Sequence, residues 1–496
     1  MRKRRTMYHN DGRHYYTYVF DAPLKMSEAL RPVDEVAGTA VDTFTYLVER
    51  GDGMFYDSKV GILVGTDKRP FNTAAMWHLS ESLVSLVDRG IDPLKILVDR
   101  AHEKKMDFIP VVRIAAYGGM KAEDSPAAGG RGFALQVNRD HGTGVIKELV
   151  SGYDIEGVEI DFPGIIPEVT SLYFAPDELI PGTAILTEWL REAARVIRTG
   201  KGRRLEVGAR IFPTEEMNLA QGCDVRTWIK EGLVDYVLPQ FFGDMNQDPD
   251  LPLEWIVDLA HEHDVSVYGN LQPFVRDKST TLNDSTVTRW VYPTPENFRA
   301  TMANYWDKGV DGLCTWFMKW PLEIEQRGVL TEIGDPDLVA DKTKVYTLRR
   351  RAEYPSSMGY DAPLPVNIPE VDGAKRYPIS FHLADDVTAK ADRVRRVVLR
   401  IHVSNVVTQD RVGVWLNGKS LESEVCLRDF ARHDATRDQW LEFPLQNILP
   451  KQGANLLEVS LESRPVRLVG GVTIEEVEVR VEYGPHASGM FPDVTA

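Results

Sequence analysis

Gly157-Val158-Glu159-Ile160-Asp161-Phe162 reads as a buried strand with two chemically different faces. Alternation sends Val158, Ile160 and Phe162 to one side, and Gly157, Glu159 and Asp161 to the other. In a closed parallel barrel the apolar side packs on helices and the acidic side faces the axis. Two carboxylates there are costly unless they are paired or used. The same kind of short apolar run recurs along the chain, predicting strands over 6–9, 41–48, 107–114, 157–162, 205–212, 234–242, 265–271 and 312–317. Amphipathic segments lie between most of them, such as 184–198 with Leu186, Leu190, Ala193 and Ile197 on one side. Eight strands alternating with helices over roughly 320 residues match a (β/α)8 TIM barrel with long loops. The stretches Val98-Asp99-Arg100-Ala101-His102-Glu103 and Val257-Asp258-Leu259-Ala260-His261-Glu262 echo each other, each ending a helix ahead of a strand. A doubly wound open sheet would want a glycine-rich phosphate turn after the first strand, and none is present.

Beyond about residue 370 the period changes to two. Leu399-Arg400-Ile401-His402-Val403, Leu457-Glu458-Val459-Ser460-Leu461 and Val477–Tyr483 each carry apolar residues on one face. Asn417-Gly418 after Val412–Leu416 signals a hairpin, because both turn residues accept positive φ. The expected organisation is an α/β barrel over 1–321 and a C-terminal antiparallel β-sandwich over 370–486. Between them, 322–369 reads as a proline-rich connector lying over the surface, with Pro336, Pro355, Pro363, Pro365, Pro369 and the basic run Arg349-Arg350-Arg351.

The 496 residues carry 58 Lys+Arg against 74 Asp+Glu, a formal charge of −16, which argues against nucleic acid as the main partner. Three cysteines (Cys223, Cys314, Cys426) are widely spaced, so neither a disulfide framework nor a CxxC metal site is expected. The basic start Met1-Arg2-Lys3-Arg4-Arg5 is not followed by an apolar stretch, and no run is long and apolar enough to span a membrane. The reading is a soluble cytoplasmic protein with no membrane partner, no cofactor and no metal; homodimerisation is left open.

In barrel enzymes the reacting groups sit at the C-terminal strand ends. Asp161 lies nearest the mouth; Glu159, about 7 Å deeper, supports it. The alternative for both is a buried ion pair with a neighbouring arginine. Arg113 ends the third strand and Arg210, inward with Glu206 and Gly208, ends the fifth, where it would pair with Asp161 or hold a substrate oxyanion. The first strand runs into His9-Asn10-Asp11-Gly12-Arg13-His14, a polar cluster with a turn at Gly12, making Asp11 the second carboxylate candidate. Tyr56, Asp57 and Lys59 after strand two are further mouth groups. His141, in the long Gly/Ala-rich stretch from Gly118 to Gly144, is an acid/base candidate there. Gln240 beside Phe241 and Phe242, Gln272, and Trp316 with Phe317 and Trp320 suit sugar rings, whose C–H faces stack while their hydroxyls hydrogen-bond. His261 and His263 do not share a helix face and read as surface.

These pieces together resemble the glycoside hydrolase family 10-like proteins of bacteria. The likeness rests on His9-Asn10-Asp11-Gly12, Tyr56-Asp57-Ser58-Lys59, Glu156–Phe162 and Gly309-Val310-Asp311-Gly312. It implies a glycosidase-type site with Asp161 and Asp11 at its mouth, and a sandwich like the accessory β-domains of such barrels. The chain lacks the Asn-Glu acid/base pair and the strand-seven glutamate of true family 10 xylanases; Tyr268-Gly269-Asn270-Leu271-Gln272 stands there instead. A weaker likeness is to barrel-type inverting sialidases, implying an Asp11/His141 pair with Arg113 and Arg210 on a carboxylated sugar.

The leading expectation is a glycoside hydrolase on a polar glycan, anionic if Arg113, Arg210, Lys59 and Arg139 form a basic cleft. The rivals are an exo-sialidase, a metal-dependent sugar isomerase using Glu159, Asp161, Glu206 and His141, and a carbohydrate-binding protein without turnover.

Overall fold

The computed structural model describes residues 3–51, 53–114, 132–163, 173–240, 246–276, 290–350, 361–430 and 438–484. Eight parallel strands close a barrel: β1 (Thr6–Asn10), β2 (Thr43–Leu47), β3 (Asp107–Arg113), β4 (Gly157–Asp161), β5 (Glu206–Ile211), β6 (Tyr236–Pro239), β7 (Ser266–Leu271) and β8 (Gly312–Thr315), in the order β1-β8-β7-β6-β5-β4-β3-β2. Each lies within a span expected from the sequence, give or take one residue at an end. Val158, Ile160, Val207 and Ala209 join the core beneath the helices, while Met7, Ile109, Tyr236, Leu238, Tyr268 and Cys314 fill the barrel interior. A Cβ at Gly208 would sit 2.1 Å from Tyr236 Cζ, so only glycine lets that ring cross the axis.

The echoed helix ends do the same job twice. His102 lies 3.2 Å from Glu156, whose carboxylate also accepts from Phe108 N on β3. His261 lies 2.9 Å from Asp311, which accepts from Val267 N on β7. Each histidine ties its helix to the residue that precedes the neighbouring strand.

The C-terminal part is two antiparallel sheets. One has the order β9 (Lys344–Thr347), β18 (Val472–Tyr483), β12 (Val394–Ser404), β16 (Gln439–Leu445), β15 (Leu427–Phe430), with β10 (Val366–Ile368) also on β18. The other has the order β11 (Tyr377–Leu383), β17 (Gly453–Ser463), β13 (Arg411–Leu416), β14 (Lys419–Ser420). Phe381, Leu399, Ile401, Leu457, Val459 and Val479 interdigitate between them. Asn417 (φ 51°) and Gly418 (φ 79°) make the two-residue hairpin that the dipeptide predicts.

The stretch expected as an extended connector is more structured than that. It holds helices Ile324–Glu332 and Pro336–Ala340, and its strands β9 and β10 belong to the first sheet. Pro336 opens a helix, where a missing N–H costs nothing, so proline density misled the reading. Arg349 contacts Asp248 (3.3 Å) and Arg350 contacts Glu475 (3.1 Å); Arg351 and Pro355 lie outside the described residues. The sandwich docks on helix Pro295–Asp307, where Asn304 donates to His382 O (3.0 Å) and accepts from Ala384 N (2.8 Å). Among the described residues no helix is long and apolar enough to cross a membrane.

Candidate active site at the barrel mouth

β1 runs directly into Asp11. There Gly12, at φ +72°, turns the chain back and its amide donates to Asn10 Oδ1 (3.0 Å), leaving the Asp11 side chain buried. Across β2, the in-register partners Arg113 and Asp161 end β3 and β4. Arg113 Nε donates to Asp161 Oδ2 (2.8 Å) while its Nη1 lies 3.6 Å from Asp11 Oδ1. One guanidinium therefore bridges the two carboxylates that the sequence singles out. Arg50 Nη1 donates to Asp11 Oδ2 (2.9 Å), and His14 Nε2 lies 3.6 Å from the same oxygen. Burial pushes the Asp11 carboxyl up, but Arg113, His14 and Arg50 outweigh it and hold the group below its ordinary value. Burial lowers His14 to about 4 despite Asp11 beside it.

Arg210 and Glu159 form a second, fully buried pair, so Arg210 does not take Asp161 as its partner. Its guanidinium instead crosses the barrel, with Nη2 3.4 Å from Thr45 Oγ1 on β2 and Nη1 3.2 Å from Gln240 Oε1. Tyr236 donates to the other oxygen of Glu159 (2.9 Å), which makes Glu159 a supporting group. Gln240 spans the two pairs: its amide nitrogen donates to Asp161 Oδ1 (3.2 Å) and its oxygen accepts from Asn270 (3.1 Å).

The β7–β8–β1 side of the mouth is aromatic. Trp316 is buried with its ring 5.9 Å from His9 and 6.0 Å from the Arg210 guanidinium carbon. Trp320 stacks on His14 at 3.9 Å and packs on Phe317 at 4.7 Å, with the exposed ring of Tyr18 beside them. Gln272 is buried at the end of β7. Phe241 and Phe242 lie outside the described residues, as does the first part of the stretch from Gly118.

Six expected groups are elsewhere. Tyr56 donates to Glu148 (2.7 Å) on helix Gln136–Gly152, which also accepts from Ser58 and from Lys59 N, so this loop closes on the helix. Lys59 pairs with Asp57 (2.8 Å) near the surface. His141 is helical, not in a loop, and its carboxylate neighbour is Glu49 (3.3 Å), whereas the imidazole beside Asp11 is His14. The Asp11/His141 pair of the sialidase reading is thus replaced by two other pairs. Burial raises the Glu49 carboxyl, partly offset by His141. Arg139 donates to Phe133 O and Gln136, and the mouth arginines face carboxylates, so among the described residues no basic surplus lines the cleft. Glu206 sits at the opposite end of the barrel with Arg5. Among the described residues no three His, Cys, Asp or Glu side chains converge as a metal site would require, which removes the grouping of Glu159, Asp161, Glu206 and His141.

The residues that sequence reasoning passed over are Thr45, Glu49, Arg50 and Asn270, together with roles for His9 and His14. Thr45 and Asn270 were findable by the alternation used for β4, since each lies inward on its own strand.

No protein-family model matches this chain, and no curated protein matches it, so the expected family likenesses rest on their short motifs alone. Similar solved structures include α-L-fucosidase isoenzyme 2 from Paenibacillus thiaminolyticus, at 13% identity and TM-score 0.42, covering 68% of this chain and 50% of that one. The chain thus spans half the length of that fucosidase. An endo-β-1,4-mannanase from Thermotoga petrophila matches at 10% identity and TM-score 0.44, over 97% of this chain and 98% of that one. A GH113 β-1,4-mannanase matches at 13% identity and TM-score 0.37, over 68% and 97%.

Proposed function

We propose that the chain is a glycoside hydrolase acting on a polar glycan held at the C-terminal mouth of its barrel. The observation that carries this is the Asp11–Arg113–Asp161 bridge, which sets two carboxylates from different strands around one cation beside an aromatic wall. Asp11, held below its ordinary value by the cations around it, attacks the anomeric carbon or takes a proton from the attacking water. Asp161 takes a proton from solvent beforehand and passes it to the leaving oxygen as the glycosidic bond breaks, while Arg113 stays beside Asp11. Glu159 and Arg210 hold the floor. Because each mouth arginine already faces a carboxylate, the reading favours an uncharged sugar over a sialic or uronic acid.

A second reading, a saccharide-binding barrel without turnover, is favoured by one fact: both oxygens of Asp161 already accept hydrogen bonds. Incubation with a panel of 4-nitrophenyl glycosides separates the two. Release of nitrophenol that is lost in both Asp11→Asn and Asp161→Asn supports the hydrolase. Saccharide binding with no release from any glycoside, or release untouched by both substitutions, overturns it.

A further inference from the structure

Arg210 can only donate, and this forces the identity of atoms two bonds away. Its Nη1 faces Gln240 Oε1, so that atom is oxygen; the same oxygen faces Asn270, so Asn270 must present its NH2 there. Asn270 Oδ1 is thereby left over: an acceptor, buried, with no partner. On the other side Arg210 Nη2 donates to Thr45 Oγ1, and among the described residues the Thr45 hydroxyl proton meets His9 Nδ1 as its acceptor, at 3.0 Å. The arrangement that satisfies the most groups puts the His9 proton on Nε2, which is buried and without a partner among the described residues. His9 lies on the inward face of β1, against Trp316, and burial with the fields of Arg210 and Arg113 keeps its ring neutral.

We propose that His9 Nε2–H and Asn270 Oδ1 are a fixed donor–acceptor pair that reads the hydroxyl pattern of a saccharide ring in the mouth, with Arg210 setting the polarity of both. A buried donor without a partner is expensive, and a ring hydroxyl or ring oxygen supplies the missing acceptor. The hydroxyl that meets Asn270 must donate. A saccharide carries both kinds of group on adjacent carbons, and an epimer that turns one of them away leaves one protein atom unpaired. That asymmetry is what gives a hydrogen-bonding site its selectivity. The inference rests on the saccharide reading above but not on cleavage.

The test uses the full chain with 15N-labelled histidine rings, His9 being assigned by its loss in His9→Gln. At pH 7 the His9 ring should show a protonated Nε2 and an unprotonated Nδ1. Methyl glycosides of glucose, galactose, mannose, fucose and xylose are then titrated in. At least one should bind and move the Nε2 resonance. His9→Phe should weaken that glycoside about tenfold, and His9→Gln, which keeps an N–H, should recover most of the loss. A proton found on Nδ1, a bound glycoside that leaves Nε2 unmoved, or no binding by any of the five overturns the inference. Aryl-glycoside turnover with an unmoved His9 would sink this pairing while the hydrolase stands; binding that moves His9 without turnover would do the reverse.

Discussion

The two ends of the barrel are built from the same parts and end differently. At the base, Arg5 is buried and donates to Thr43 Oγ1 (2.5 Å), Asp107 (2.9 Å) and Glu206 (2.8 Å), with Lys3 reaching both carboxylates. At the mouth, Arg113 and Arg210 meet Asp161 and Glu159 in the same way. The base carboxylates are 36% and 23% exposed, whereas Asp161 and Glu159 are fully buried. Among the described residues the base leaves over Arg5 Nε. Among the described residues the mouth leaves over His9 Nε2 on β1 and Asn270 Oδ1 on β7. Ion pairing thus closes the base, whereas the mouth keeps buried polar atoms unpaired, and it is those atoms rather than the pairs that set apart the end proposed to hold the saccharide.

The sharpest test of that contrast is Asp161→Asn. It keeps shape, so the midpoint of thermal unfolding should move little while kcat falls by roughly 10²–10⁴ on the substrate found. Near-normal turnover would make the mouth pair structural like the base. Next comes Arg5→Met, which leaves Asp107 and Glu206 with only Lys3; urea unfolding should show a loss of about 1–3 kcal/mol with kcat of the folded enzyme unchanged. A large fall in kcat there would erase the distinction between the ends. Trp320→Ala removes the stacking partner of His14 and one face for a sugar ring, and should raise KM by roughly three- to tenfold with kcat little affected.

The smallest effect is in pH. Asp11 at the mouth and Asp107 at the base are both held below their ordinary values; burial opposes this, and Arg113 and Arg5 are the leading charges that outweigh it. A depressed folded value gives stability that is present above the unfolded value and lost as pH falls through the folded one. Acid unfolding followed by circular dichroism should therefore become less steep below about pH 4 in both Asp11→Asn and Asp107→Asn. Of the two, turnover should change in Asp11→Asn alone.

Much of this was legible in the chain. The alternation in 157–162 placed Val158 and Ile160 under helices and Glu159 and Asp161 on the axis, and the same rule gave the directions of Arg210 and Arg113. Asn417-Gly418 made its hairpin because a two-residue turn is a local property of φ. The reading failed where a contact is made by a side chain whose backbone direction says little about its reach. Lys59 and Tyr56 follow a barrel strand, yet the Glu148 carboxylate gathers three donors from their loop. The glycines around His141 read as loop, yet the residue lies in helix Gln136–Gly152.

Strand direction, inward or outward facing and the change from α/β to all-β are set by neighbours one or two residues away, so the sequence alone determined the barrel, the sandwich and the candidate carboxylates. Which arginine meets which carboxylate depends on strand register and on how far a long side chain reaches across the axis. Asp161 takes Arg113 from 48 residues away and Glu159 takes Arg210 from 51. Those distances along the chain carry no periodic signal. The proton positions of His9 and Asn270 are one step further removed, since each follows from a donor on a non-adjacent strand of the closed barrel. Only the assembled tertiary structure brings that donor into place.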